Sequence, residues 1–509
     1  DTNMNKKRKI KINVINNQDD LENQIIIHNN KFCQFITSDT KLFNSLKSEL
    51  SYKIAGVEYT TAYKNGWSGI TYLIKDDGYF YTGLLFKVKR FLNEKEIVFI
   101  EKDNRDKYNN SDNSINIDEK LKSLNLTPRN HQIQIVEAAC ANERGIIRAC
   151  TGSGKTLCTA MITAKFNKPT IIYVIGIDLL KQFHDLFSSI FDEPIGFIGN
   201  GVCNIQRINI ASIWTIGAAL KVDKKDIITD DEYDIEEAKP DQNQTYEILK
   251  MLQNTKIHIF DESHVVTTNT IKSIYKTINF ENIYGFSGTP FRDDNTDLLI
   301  NSILGEQIIN ISASKLINEK LLAQPIIKFV SVPKIKTDDP YQTVYKNYIV
   351  ENNTRNNLII KNVKELLEKG YTPLVLFKQI KHGQKLFDLM KDNGIKCEML
   401  YGADSLERRT EVKELISNKK IDVILASTIF DLGVDIPILD GLVLCSGGKS
   451  SIRALQRIGR VIRSYKNKKF AAIVDFYDQV KFLKKHSVLR YNIYSSEDGF
   501  KVIKSKEMK

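Results

Sequence analysis

The sequence predicts an α/β protein. Two tandem parallel-sheet domains follow a small β-rich N-terminal accessory domain, and a basic C-terminal extension closes the chain. Three observations predict this. Short apolar runs alternate with helical patterns from about residue 121 to residue 480, the signature of parallel strands with covering helices. A strand, a glycine-containing loop and a helix start follow one another at residues 145–156, in the first half of that alternation and not in the second. Residues 50–101 read instead as short strands around a turn. The expected segments are 1–118, 119–325, 326–480 and 481–509.

Taken in order, residues 1–30 are polar and Asn-rich, with a short strand expected at Lys9–Ile15. A helix is expected around Thr40–Leu50. Gly69–Ile74 and Tyr79–Val88 are strand-like and flank Lys75-Asp76-Asp77-Gly78, where Asp-Gly is a hairpin signal. Tyr59–Trp67 is rich in aromatics, and Lys87, Lys89 and Arg90 form a basic cluster. Both suit either a small core or a nucleic-acid face. Residues 102–118 are charged, lack an apolar period and read as a linker.

Strands are expected in the first α/β unit at Ile171–Ile175, Ile208–Ser212, Ile257–Phe260 and Ile283–Ser287, with an acidic surface insertion at Lys221–Pro240. In the second unit, helices at Tyr341–Tyr348 and Asn356–Lys369 precede strands at Leu374–Phe377, Val423–Ala426, Gly441–Cys445 and Ala471–Asp475. Two such units with one phosphate loop between them imply a nucleotide in the cleft they share.

The chemistry starts at residues 149–156, Ala-Cys-Thr-Gly-Ser-Gly-Lys-Thr. Backbone N–H groups of Thr151, Gly152, Ser153 and Gly154 can cradle phosphate at a helix N-terminus. Lys155 then supplies a charge for the β- and γ-phosphates, and Thr156 a hydroxyl for Mg²⁺. Asp261-Glu262-Ser263-His264 follows a strand, at the end where α/β proteins bind ligands. Asp261 suits Mg²⁺, and Glu262 suits activation of the attacking water. Ser287-Gly288-Thr289-Pro290 is a hydroxyl-rich turn after the next strand. At 453–463, Arg457, Arg460 and Arg463 recur every third residue beside Gln456, while Ala454, Leu455, Ile458 and Ile462 require burial. Arg460 and Arg463 therefore read as arginine fingers for a γ-phosphate, completed by domain closure.

In this order, these motifs resemble motifs I, II, III and VI of the superfamily 2 DExH-type helicases, across residues 121–480. The resemblance implies two RecA-like domains, ATP and Mg²⁺ in the cleft, and nucleic acid across both. It implies further roles. Arg129 and Gln132, within Pro128-Arg129-Asn130-His131-Gln132, would read adenine. His264 would belong to motif II, and Ser212 and Thr215 to motif Ib, with Lys378 near motif IV. Thr428 would touch a nucleic-acid phosphate, with Gly433 and Asp435 on the nucleotide side. Ile175-Gly176 stand where motif Ia usually has Pro-Thr, so a hydroxyl contact is missing there. Tyr63 to Gly69, followed by Gly83-Leu84-Leu85, resembles the accessory domain of UvsW-type phage recombination helicases, which places Tyr63 and Trp67 among expected nucleic-acid contacts.

Composition agrees with a polyanion-binding protein. The net charge is +11, and residues 441–509 alone carry 16 Lys+Arg against 5 Asp+Glu. A solvated basic tail is the alternative reading of that segment. Seven cysteines, an odd number without Cys-x-x-Cys pairs, point to reduced thiols and a cytoplasmic location, that of a bacterial host if the chain is phage-encoded. The Lys6-Lys7-Arg8-Lys9 run has no apolar stretch after it, which argues against a secretory signal, and no membrane partner is expected. The expected activity is ATP-dependent helicase or translocase action on branched or forked DNA, independent of sequence, by a monomer working with phage or host recombination proteins. The alternatives are an RNA helicase, a translocase subunit of a larger complex, and a DNA-binding scaffold with an inactive ATPase fold.

Overall fold

The computed structural model describes residues 23–53, 66, 68–105, 114–150, 152–223, 238–263, 268–288, 297–401, 404–427, 436, 438–448, 457–459, 461–462 and 468–508. The chain divides into two compact units, residues 1–109 with 293–305, and residues 110–292 with 306–509. The expected strand at Lys9–Ile15, most of the aromatic stretch Tyr59–Trp67 and most of the acidic insertion lie outside the described residues.

In the first unit the described strands are β1 (Asn23–Ile27), β2 (Phe32–Thr37), β3 (Ser51–Lys53), β4 (Ile70–Tyr72), β5 (Tyr79–Tyr81) and β6 (Ile100–Asp103). They form a sheet ordered β5-β2-β1-β6 and a separate β3-β4 pair. Alternation sets the buried face: Ile25, Ile27, Cys33, Phe35 and Phe80 point into the core. Asp39 caps the helix Thr40–Glu49, accepting from the Lys41 and Leu42 N–H groups at 2.8 and 3.0 Å. The Asp-Gly turn is present: Gly78 N–H donates to the Lys75 carbonyl at 2.9 Å, and Ile74 bridges Phe80.

The strand expected over Tyr79–Val88 stops at Tyr81. A 3-10 turn at Thr82–Leu84 leads into the helix Leu85–Glu94. The reason is spacing: Leu84, Val88, Phe91 and Leu92 recur at helical intervals and are buried together.

This unit also takes in the helix Asp297–Leu304, whose Leu298 and Leu299 join the core that holds Leu84, Val88 and Phe91. The approach is close. A Cβ on Gly83 would lie 2.4 Å from the carbonyl oxygens of both Asn301 and Ser302. Gly83→Ala is expected to push that helix away and destabilise the unit by about 1–3 kcal/mol. Urea unfolding followed by circular dichroism reads the loss, and an unchanged first transition contradicts it.

The second unit holds two sheets. The first is built from β7 (Arg144–Ala149), β8 (Thr170–Val174), β9 (Ile195–Gly199), β10 (Val202–Asn204), β11 (Ile208–Ser212), β12 (Ile257–Phe260), β13 (Asn282–Ser287) and β14 (Gln307–Ile311). Its order is β10-β9-β11-β8-β12-β13-β7-β14, parallel except for β10 against β9. β8, β11, β12 and β13 are buried at every residue, as a sheet covered by helices on both faces requires.

The second sheet contains β15 (Gln324–Val332), β16 (Pro373–Phe377), β17 (Cys397–Leu400), β18 (Val423–Ser427), β19 (Gly441–Leu444), β20 (Phe470–Asp478) and β21 (Lys501–Ile503). Its order is β17-β18-β16-β19-β20-β15-β21, with parallel pairing throughout. The architecture is thus the expected one: two tandem RecA-like α/β domains and a small sheet-containing N-terminal unit.

The stretch read as a basic extension is folded. The helix Leu483–Ser496 buries Leu483, Ser487, Arg490 and Tyr494, and β21 adds an edge strand beside β15. All seven cysteines are free, and among the described residues no helix is long and apolar enough to cross a membrane.

Candidate active site

The parallel order brings the ends of β7, β13 and β12 side by side. β7 leads into the phosphate loop, and the helix Lys155–Phe166 starts directly after it. Gly154 precedes that helix in the left-handed region, at φ +82. The first-turn N–H groups of such a helix have no intrahelical acceptor, which leaves them for phosphate.

The loop is braced from behind. His131 Nε2 and Gln132 Nε2 both reach the Ser153 carbonyl, at 2.9 and 3.0 Å. Gln132 Oε1 accepts the Arg129 N–H at 2.8 Å, because Gln132 is the third residue of the helix Asn130–Cys140 and folds back on its cap. Gln132 was the expected adenine reader. Here one hydrogen bond at each end of its amide goes to the protein backbone, so the buried Gln132 side chain props the phosphate loop. Arg129 is exposed and remains available to a base.

A Cβ on Gly154 would sit 2.2 Å from Gln132 Nε2. Gly154→Ala is therefore expected to weaken ADP binding about 100-fold or more, ~2.7 kcal/mol, by calorimetric titration. Adding Gln132→Ala relieves the contact but not the backbone angle, so the double variant should recover only in part. Wild-type affinity in Gly154→Ala contradicts the fit.

The two motif II carboxylates differ in role. Asp261 donates its N–H to the Tyr173 carbonyl at 2.9 Å, and its side chain is buried with Oδ1 lacking any hydrogen-bond partner. Burial pushes its pKa up to about 7; the Lys155 cation pulls it down and the Glu262 carboxylate pushes it up. Glu262 sits at φ +49, a strained angle for a side-chain-bearing residue. Its carboxylate forms an ion pair with Lys155 and accepts the Gly288 N–H at 3.4 Å. Burial lowers the Lys155 pKa, but Glu262 and Asp261 outweigh it and the net shift is upward, so the ammonium stays charged.

These residues fit a nucleotide and its divalent cation. Asp261 Oδ1 and the Ser153 hydroxyl are orphaned buried polar atoms beside a glycine cradle that a Cβ would fill. Among the described residues no group of three His, Cys, Asp or Glu is placed to hold a metal. One carboxylate, the Thr156 hydroxyl and substrate phosphates are the donor set that suits Mg²⁺.

Several expected site residues lie outside the described residues: Thr151, His264, Thr428, Gly433, Asp435, Gln456, Arg460, Arg463, Tyr63 and Trp67. Arg457 is described and points inward, with Nη1 3.3 Å from the Ser446 hydroxyl, and its neighbours Ile458 and Ile462 are buried as expected. Ser212 and Thr215 were expected to meet nucleic acid, but both are buried. The cause is the short helix Ile213–Ala219, which is apolar all round: Ile213, Trp214, Ile216 and Ala219 are buried with them. Lys378, just past β16, is exposed.

Two buried ion pairs went unread in the sequence. Arg355 Nε and Nη2 grip Asp478 at 2.7 and 3.2 Å, and Arg490 Nε and Nη2 grip Asp475 at 2.8 and 2.9 Å. The available signal was Asp475 and Asp478 at the end of an otherwise apolar strand, since buried carboxylates need a cation.

Comparison with known proteins agrees with this geometry. Residues 125–292 match the family "Type III restriction enzyme, res subunit", and residues 357–465 match "Helicase conserved C-terminal domain". The chain is 24% identical to the ATP-dependent DNA helicase uvsW of Enterobacteria phage T4, over 92% of this chain and 97% of that protein. It is 28% identical to putative helicase 22 of a Sulfolobus islandicus filamentous virus, over 73% of this chain and 68% of that protein. Among solved structures, S. cerevisiae Dbp5 bound to RNA and ADP BeF3 shares the fold, with a TM-score of 0.50 at 13% identity, covering 76% of this chain and 92% of that one. A fragment of a putative HsdR subunit of a type I restriction enzyme from Vibrio vulnificus does so too, at 0.50 and 16%, covering 74% and 67%. With the phosphate loop, the paired carboxylates and both halves of the motor matched, the chain belongs to the superfamily 2 DExH-type helicases, as a UvsW-like, ATP-dependent nucleic-acid helicase.

Proposed function

We propose that this helicase acts on branched DNA, migrating branches, regressing forks and unwinding D-loops or R-loops, with ATP and Mg²⁺ at the site around Lys155. The observation that carries the reading is the extent of the likeness to a DNA helicase: it spans 92% of the chain, the accessory unit as well as the motor.

Lys155 pairs with Glu262, and a carboxylate held by that ammonium is a poor base. The phosphates compete for the ammonium, so substrate arrival frees the Glu262 carboxylate to orient and deprotonate water. Asp261, in its deprotonated form, and Thr156 would hold Mg²⁺, which would neutralise charge on the phosphates. The Gly288 N–H then keeps Glu262 tied to motif III. Arg460 and Arg463 are assigned the charge that develops on the γ-phosphoryl group, which makes hydrolysis depend on closure of the two α/β domains. Lys378 and Thr428 are assigned strand phosphates, so binding should be sequence-tolerant and steeply salt-dependent.

ATPase stimulation by a Holliday junction, a linear duplex and an RNA duplex at matched nucleotide concentration tests the substrate. The junction should stimulate most. Strongest stimulation by RNA overturns the branched-DNA reading and leaves an RNA helicase.

A further inference from the structure

The backbone that follows β19 is held carbonyl by carbonyl. The Cys445 carbonyl accepts from Arg355 Nη1 at 2.9 Å, the Ser446 carbonyl from the Tyr345 hydroxyl at 2.8 Å, and the Gly448 carbonyl from Arg490 Nη1 at 2.6 Å. Arg490 cannot swing away. Its other nitrogens form the paired contact with Asp475, and the Tyr494 hydroxyl donates to Asp475 Oδ2 at 2.9 Å. Arg490 and Tyr494 lie one turn apart on the helix Leu483–Ser496.

The same helix ends at Glu497. That carboxylate receives Arg148 Nη2 at 3.4 Å, and Arg148 stands in β7, the strand that feeds the phosphate loop. A carboxylate at a helix C-terminus opposes the helix dipole, so Glu497 does not serve the helix itself. Arg148 gives it a partner across the two α/β domains.

We infer that the helix Leu483–Ser496 is a brace between the two α/β domains, with Arg490 fixing the backbone at Gly448, ahead of the arginine segment in sequence, and Glu497 positioning the phosphate-loop strand for hydrolysis. The inference rests on reading Arg460 and Arg463 as the charges that meet the γ-phosphate. The two ends differ in kind. The Arg490–Asp475 pair is fully enclosed, and removing either partner strands a buried charge. The Arg148–Glu497 contact is single and partly exposed, with 23% and 11% of the side chains accessible, so it can be made and broken in each cycle.

The outer end is the one to vary, because its loss does not strand a fully buried charge. In Arg148→Glu and in Glu497→Arg, nucleic-acid-stimulated kcat should fall about tenfold, while the Kd for ADP changes by less than about twofold. The combined swap should return kcat to within about threefold of wild type. Arg490→Lys, which keeps the charge but loses the paired contact, should lower kcat with ADP affinity retained. Single reversals with wild-type kcat, a swap no better than either reversal, or ADP affinity falling in step with kcat each overturn the brace. Arg460→Ala and Arg463→Ala are measured beside them. If these keep the wild-type rate, the arginine-finger reading fails and the brace with it; if they lose it while the reversals do not, the brace alone fails.

Discussion

Glu262→Gln is expected to lower kcat for ATP hydrolysis by about 10²- to 10⁴-fold, the usual contribution of a positioned base. ADP binding should survive or tighten. Lys155 pairs with Glu262, and the phosphates must draw it off. A neutral amide no longer holds the ammonium, so that competition disappears. Single-turnover hydrolysis and calorimetric titration separate the two effects. A glutamine variant that hydrolyses at the wild-type rate, or binds ADP more weakly, contradicts the assignment of Glu262.

Lys155→Ala is expected to weaken nucleotide binding by about 10- to 100-fold, the worth of a charge-assisted contact of ~1.5–3 kcal/mol, and to suppress hydrolysis further. Its effect on stability should depend on pH, and the sign follows from Asp261. Burial already raises that carboxyl to about 7, with Lys155 pulling it back. A carboxyl whose folded pKa exceeds its unfolded value contributes stability at low pH. That contribution is lost as pH rises through the folded value. Without the Lys155 cation the folded pKa rises further, and Glu262 also loses its ion-pair partner. The stability deficit of the variant relative to wild type should therefore grow between about pH 6 and about pH 8. Thermal unfolding at the two pH values reads it. A deficit that shrinks as pH rises is incompatible with a buried carboxylate held by this lysine.

Much of the motor was legible because its signals are local. Ile208–Ser212 and Ile257–Phe260 are strands over the expected residues, since a run buried on both faces must be apolar at every position. The phosphate loop and the Asp261-Glu262 pair were legible for the same reason, as each is a short stretch with a fixed chemical task. The pairing of Lys155 with Glu262 was not, because only the order of β7, β13 and β12 brings them together.

Where two periods overlap, the reading failed. Tyr79-Phe80-Tyr81 alternates and Leu84, Val88 and Phe91 do not, yet both stretches are apolar enough to look like one strand. Charge counting misled at the C-terminus. Arg490 is one of the 16 Lys+Arg counted over residues 441–509, but it is buried against Asp475, and its helix carries Leu483 and Tyr494 inward. Apolarity also says that Leu298 and Leu299 are buried, without saying in which unit. That detail changes an experiment: removing residues 1–118 would expose the helix Asp297–Leu304, so such a deletion does not isolate the accessory unit from the motor.

ATP-driven movement on branched DNA is tested most directly by following a mobile Holliday junction as it resolves into forked products, beside an RNA duplex of matched length. The wild-type protein should convert the junction only with hydrolysable ATP, Glu262→Gln should leave it intact, and the RNA duplex should stay paired. Junction conversion by Glu262→Gln at the wild-type rate, or faster unwinding of the RNA duplex than of the junction, contradicts the assigned motor and its substrate.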